Sequence, residues 1–218
     1  HDGYLDIHVQ EVLNLSLVDA DTIRACKFKV VLDAVNSTGG LAIPKLLEAL
    51  GVEVVKLYCD PTGHFPHNPE PLKEHLEEIS RLVPESGADF GIVVDPDVDR
   101  LAFISDDGSM FGEEYTLVAC ADYVLSKTPG NTVSNLSSTR ALRDITRKHG
   151  ANYTAAAVGE VNVVAKMKET QAIIGGEGNG GIIYPESHYG RDALVGTALF
   201  LMLLAENGGS VSALRDSY

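Results

Sequence analysis

The chain has 218 residues, 44% of them hydrophobic, which is enough for one large domain or two small ones with a sizeable core. Its formal net charge of −14 argues against the basic face of a nucleic-acid binder, and no apolar run approaches the roughly 18 residues of a membrane span. Cys26, Cys59 and Cys120 are scattered, without a C-x-x-C pair, which argues against a disulfide framework or zinc site and fits a reducing cytoplasm. The chain opens at His1, not Met, and has no basic-then-apolar leader. No signal peptide is expected, and the sequence reads as a piece cut from a longer protein.

Taken in order, residues 29–32 form a β-branched run that ends at Asp33 and the loop "NSTGG". Residues 41–50 carry apolar positions at helical spacing and stop at Gly51. Residues 52–58 read as a strand, and 71–82 as one helix with Leu72, Leu76 and Ile79 on a single face. Strands are expected over 88–94 and 101–105, then the turn "DDGS". The second half repeats the theme. Helices are expected over 113–127, 139–149, 161–169 and 194–205, and strands over 132–136, 153–158, 172–176 and 181–184. This alternation predicts an α/β fold of two consecutive domains, each a mixed, mostly parallel sheet with helices on both faces. The seam is placed near "SDDGSMFG", giving domains 1–107 and 108–218.

The stretch "VVDPDVDRLAF" ends an apolar strand and then sets Asp95, Asp97 and Asp99 at alternate positions, with Arg100 directly after. Like charges at roughly 5 Å repel by several kcal/mol at an effective dielectric near 20, so something must offset them. A divalent cation is the simplest answer, and all-oxygen ligands select a hard ion such as Mg²⁺ or Ca²⁺. An EF-hand needs Gly at its sixth position and Glu at its twelfth, where this loop has Arg100 and Asp106. The plainer alternative is a solvated acidic turn. A guanidinium beside a metal suits phosphate oxygens, which favours the functional reading.

Gly176, Gly178 and Gly181 match G-x-G-x-x-G, but "IIYP" follows where a dinucleotide site needs a helix. A close-approach loop fits better, with Glu177 and Asn179 offering polar groups to sugar hydroxyls. A Gly-rich hairpin with two incidental polar residues is the alternative. His64 and His67, in "GHFPHNPEP", lack a third ligand and read as an ordinary loop.

In that order the loops resemble those of the α-D-phosphohexomutase superfamily: phosphoglucomutases, phosphomannomutases and phosphoglucosamine mutases. "DPDVDR" is similar to the family's D-G-D-G-D-R metal loop, with Pro96 and Val98 in place of glycines. "GEGNGG" is similar to its sugar loop, with Gly181 where many bacterial members have histidine. Glu160 stands where some have the histidine of T-G-H. The resemblance covers the second and third of four family domains. It implies Mg²⁺ on Asp95, Asp97 and Asp99, a catalytic Arg100, and Glu177, Asn179 and Arg191 on the substrate. It implies a hexose phosphate substrate and a phosphoserine relay through a bisphosphorylated sugar. It also implies two partner domains of the same parent chain, an N-terminal one with the phosphoserine and a C-terminal one that grips phosphate. "HNP" at 67–69 lacks the serine of the family's T-A-S-H-N-P. Weak Mg²⁺ binding and no mutase turnover are therefore expected of this chain alone. The alternatives are a haloacid-dehalogenase-like phosphatase and a non-catalytic sugar-binding module.

Overall fold

The computed structural model describes residues 3–218. The β-branched runs become β1 (Lys29–Asp33), β2 (Glu53–Leu57), β3 (Phe90–Val94) and β4 (Leu101–Ile104), in the order β2-β1-β3-β4. β1 is parallel to β2 and β3, with helices in the crossovers, whereas β4 is antiparallel because only a short loop returns it from β3. The second sheet repeats this plan. β5 (Thr132–Asn135), β6 (Tyr153–Ala156), β7 (Ile174–Glu177) and β8 (Gly181–Ile183) lie in the order β6-β5-β7-β8, with β8 antiparallel. The result is two α/β units, each with a mixed, mostly parallel sheet. In each, strand order reverses between the central pair, which leaves a crevice at their C-terminal ends. Asp33 and Asp95 sit at one crevice, Asn135 and Glu177 at the other.

The helices are α1 (Tyr4–Leu13), α2 (Ala20–Cys26), α3 (Gly39–Ala49), α4 (Glu77–Ser86), α5 (Glu113–Lys127), α6 (Ala141–Lys148), α7 (Glu160–Thr170), α8 (Ala193–Asn207) and α9 (Val211–Arg215). Sequence periodicity misses α1, α2 and α9. For α2 a signal exists: Asp19 accepts the amides of Asp21 and Thr22 at 3.0 and 3.3 Å, and left-handed Lys27 ends the helix. The single helix expected over 71–82 is a correction. A 3-10 turn at Lys73–His75 comes first, and α4 starts only at Glu77. Leu76, at φ −113°, breaks the helix and joins Ile79 and Val83 beneath the first sheet.

Period-2 alternation sends Val30, Leu32, Ile92 and Val94 to one face of the first sheet, and Val31, Val93 and Ile104 to the other, under α4. The first face continues into the second unit. α5 and α8 both contact β4 on one side and β8 on the other, and α5 also contacts β7. α8 is buried from Ala193 through Leu204, as an all-apolar helix must be. Its Phe200 stacks on Phe103 with ring centroids 3.8 Å apart and meets Phe90 and Phe111 edge-on at 5.6 and 5.4 Å. One hydrophobic core therefore runs through both units. Among the described residues no helix is long and apolar enough to cross a membrane.

Candidate functional site

The β3–β4 loop leaves the first crevice at Asp95, which is buried and closes the loop upon itself. Its Oδ1 accepts the amides of Asp99 and Arg100, both at 3.0 Å. Thr38 Oγ1 donates to Pro96 O at 2.8 Å, and the amide of Ala193, first residue of α8, donates to Val98 O at 3.0 Å. Val98 has φ +63°, a left-handed conformation that a β-branched residue rarely adopts, held here against a strain of about 1–3 kcal/mol.

This folding brings ligand oxygens of Asp95, Asp97 and Asp99 within 4.8 Å of one another. Burial pushes the Asp95 carboxyl up to about 7, the hydrogen bond from the Arg100 amide opposes the shift, and the charges of Asp99 and Asp97 add to it. Burial likewise raises Asp99, against the nearby Arg191. Asp99 Oδ1 is buried with no hydrogen-bond partner. An orphaned carboxylate oxygen on a member of an all-oxygen cluster is what a hard divalent cation would satisfy, so these residues fit an ion such as Mg²⁺ or Ca²⁺. Arg100 lies beside them. Its Nε is 3.7 Å from Asp95 Oδ2, and its Nη1 pairs with Glu70 at 3.3 Å, so the half-buried guanidinium is tied back toward the first unit.

The glycine loop is the equivalent turn of the second unit, a hairpin that pairs Glu177 with Gly181. No helix follows it, so the dinucleotide reading is set aside. Glu177 is buried. Its Oε1 accepts from Asn135 Nδ2 at 2.8 Å and the amide of Gly159 at 3.2 Å, and its Oε2 pairs with Arg191 Nη1 at 3.1 Å. Asn179 is half-buried and accepts the Gly181 amide at 3.2 Å, shaping the turn. Gly180, at φ +90°, lies so close to Leu101 O that any β-carbon there would collide with it.

The two turns meet. Arg100 and Gly181 form a β-bridge, and the Leu101 amide donates to Gly180 O at 3.1 Å. Arg191 spans the junction. Nη2 is hydrogen-bonded to Asp99 Oδ2, Nη1 pairs with Glu177, and Nε is 3.4 Å from Glu160 Oε2. Asp95, Asp97, Asp99, Arg100, Glu177, Asn179 and Arg191 thus form one cluster. Glu70, Asn135 and Gly159, not singled out from sequence, complete it together with Glu160, which the sequence marked only as a departure from the family's histidine. Asn135 carried a topological signal, because it ends β5 where Asp33 ends β1. His67 stands apart: its Nε2 meets buried Asp33 Oδ2 at 2.9 Å and its Nδ1 donates to Asn68 O at 2.8 Å, strapping loop 61–69 to the first sheet.

Comparison with known proteins gives two family matches. Residues 4–108 match "Phosphoglucomutase/phosphomannomutase, alpha/beta/alpha domain II", and residues 112–218 match domain III of the same description. The chain is 37% identical over 201 residues to a phosphoglucomutase/phosphomannomutase of Thermococcus kodakarensis, covering 91% of this chain and 44% of that protein. It is 33% identical over 212 residues to a "Probable phosphoglucosamine mutase" of Methanopyrus kandleri, covering 96% and 46%. A crystal structure of a phosphoglucomutase/phosphomannomutase family protein from Burkholderia thailandensis superposes with TM-score 0.85 at 30% identity, over 98% of this chain and 46% of that one. The chain spans about half the length of the curated relatives it matches.

Proposed function

The chain belongs to the phosphoglucomutase/phosphomannomutase family, and we propose that it supplies the metal-binding and sugar-binding half of a phosphohexomutase. That enzyme interconverts hexose 1-phosphate and hexose 6-phosphate through a phosphoserine and a bisphosphorylated sugar. The observation that carries this reading is the union of the acidic loop and the glycine loop into one cluster, through the Arg100–Gly181 bridge and Arg191. On this reading the domains are 1–107 and 108–218, and the phosphoserine and the grip on the second phosphate come from further domains of a longer chain.

Phosphoryl transfer demands positioning and neutralised charge more than covalent help from the protein. Bound Mg²⁺, held by Asp95, Asp97 and Asp99, would supply charge neutralisation at the phosphoryl oxygens. Arg100 exchanges its contact with Glu70 for those oxygens, a fork-to-phosphate pairing that a −14 chain needs locally. Glu177 and Asn179 present acceptors to the hexose hydroxyls. Glu177 is already fixed by Asn135 and Gly159, so sugar binding costs little reordering. The family relationship supports neither the phosphatase alternative nor the non-catalytic one.

Two measurements test the reading. Calorimetric titration of the chain should show one Mg²⁺ site that Asp97→Ala weakens. A panel of hexose 1-phosphates with the full-length protein should show 1-phosphate to 6-phosphate turnover, which the chain alone should not catalyse. Phosphate release without isomerisation would overturn the assignment.

A further inference from the structure

We infer that Arg191 is a positioning residue that makes the acidic loop and the glycine loop respond as one. This rests on the reading of the two loops as a single metal- and sugar-binding site. The guanidinium holds one carboxylate from each loop on its two terminal nitrogens: Asp99 on Nη2 and Glu177 on Nη1, the latter at 3.1 Å. Asp99 belongs to the first unit and Glu177 to the second, so the planar fork fixes the spacing of groups carried by different sheets. Arg191 is itself well held. Its side chain is 15% exposed, its amide donates to Glu160 Oε1 at 3.3 Å, and the next residue, Asp192, caps α8 through the amides of Leu194 and Val195.

The division of oxygens on Asp99 sets the direction of influence. Oδ2 is taken by Arg191, whereas Oδ1 is buried and unpaired. A cation held by Asp99 through Oδ1, its free oxygen, would leave Oδ2 on the guanidinium, so the carboxylate would link that site to Arg191, and Arg191 to Glu177. Carboxylates that bind metal are oriented by such outer hydrogen bonds. Glu177 has its other oxygen on Asn135 and Gly159, so it answers by a change in its share of the Arg191 hydrogen bond and not by leaving its place. Lysine could not do this, because one nitrogen cannot hold two separated carboxylates in a fixed plane. A competing route exists through the backbone, where Arg100 bridges Gly181.

The test separates the routes. The intact chain, carrying ¹³C-labelled aspartate and glutamate carboxyls, is titrated with Mg²⁺ alone and followed by NMR, with calorimetry in parallel. In the wild type the Glu177 carboxyl resonance should move along the same binding curve as Asp99. In Arg191→Gln, and in Arg191→Lys, which keeps the charge, Mg²⁺ should still bind once, but the Glu177 shift should fall to a small fraction of the wild-type change. A merely structural arginine would leave that response intact in the lysine variant. A Glu177 response retained in either variant overturns the inference and assigns the coupling to the backbone bridge. If the wild type binds no Mg²⁺, the underlying metal reading fails, and the inference with it. If it binds Mg²⁺ while Glu177 stays still, only the inference fails.

Discussion

The Arg191 side chain crosses directly over the α-carbon of Gly181, where a β-carbon would collide with Cδ and stand 3.0 Å from Cγ. The arginine reaches Asp99 and Glu177 because residue 181 has no side chain. Gly181→Ala should therefore fold, since the obstacle is a flexible stem, but should displace the guanidinium from both carboxylates. On the proposed reading, its affinity for a hexose 1-phosphate, with glucose 1-phosphate and Mg²⁺ as the probe, should drop by about tenfold, the equivalent of ~1.4 kcal/mol. Calorimetry on the chain reads this directly, and an unchanged affinity would sink the claim that the glycine serves the arginine.

Asp97 offers an opposite-signed pair of effects. It is exposed, and its charge helps raise its neighbour Asp95. Asp97→Ala should remove repulsion and raise the melting temperature of the metal-free chain by about 1–3 °C. On the proposed reading, in which Asp97 is a direct ligand, the same change should weaken Mg²⁺ binding by more than about tenfold, at least the loss of an outer-shell partner. Thermal denaturation with and without Mg²⁺ gives both numbers. A variant that loses stability and keeps its metal response would mark Asp97 as structural.

Much of this molecule is legible in its sequence because the relevant signals are local. β-branched runs between turn residues place β1, β3 and β5, and three alternating aspartates announce a charge problem before any fold is known. The split before α4 is less legible, since Leu72, Leu76 and Ile79 keep helical spacing even though Leu76 turns away from helical geometry. Helices α1 and α2 escaped because they pack on other helices, α1 on α3 and α8 and α2 on α8, and precede β1, outside the strand–helix alternation. The pairing of Arg191, a residue named only through the family resemblance and there as a substrate contact, is the hardest case. The arginine's sequence neighbours only mark the start of a helix, while its partners Asp99, Glu160 and Glu177 lie 92, 31 and 14 residues away. Long-range pairing of this kind leaves no periodicity to read.

The shared core predicts how the chain unfolds. Phe200 belongs to the second unit but stacks on Phe103 of the first, and both are fully buried. Phe200→Ala should cost about 3–5 kcal/mol, as large-to-small changes in packed aromatic cores do. The loss should appear in both units at once. Urea unfolding followed by tyrosine fluorescence and by circular dichroism should shift as a single transition. Two separated transitions, with only one moved, would mean that the units are stabilised independently.

The pH dependence of the metal-free chain follows from groups raised above their ordinary values. The hydrogen bond to Asp33 raises His67 against the opposing effect of burial, and that to Asp192 does the same for His8. Each folded-state imidazole holds its proton longer than the unfolded one, so the stability it contributes is complete below the unfolded value near 6.5 and is lost as pH rises through the folded value. Asp95 acts in the same sense. Burial first, then the charges of Asp99 and Asp97, raise it to about 7, so between about pH 4 and 7 the folded state binds more protons than the unfolded. Burial also works on Asp192, but hydrogen bonds from His188 and His8 hold it well below the usual carboxylate range, and its contribution is lost only in strong acid. The metal-free chain should therefore be more stable at pH 5.5 than at pH 8, by about 4 °C in melting temperature, the shift expected for ~1–2 kcal/mol in a chain this size. Saturating Mg²⁺ should cancel the Asp95 part, because a bound cation compensates the carboxylate's charge, and should leave the histidine part. Melting curves across pH with and without Mg²⁺, for the wild type and His67→Gln, separate the two. A metal-free chain whose stability rises steadily from pH 5.5 to 8 would contradict the assignment of both.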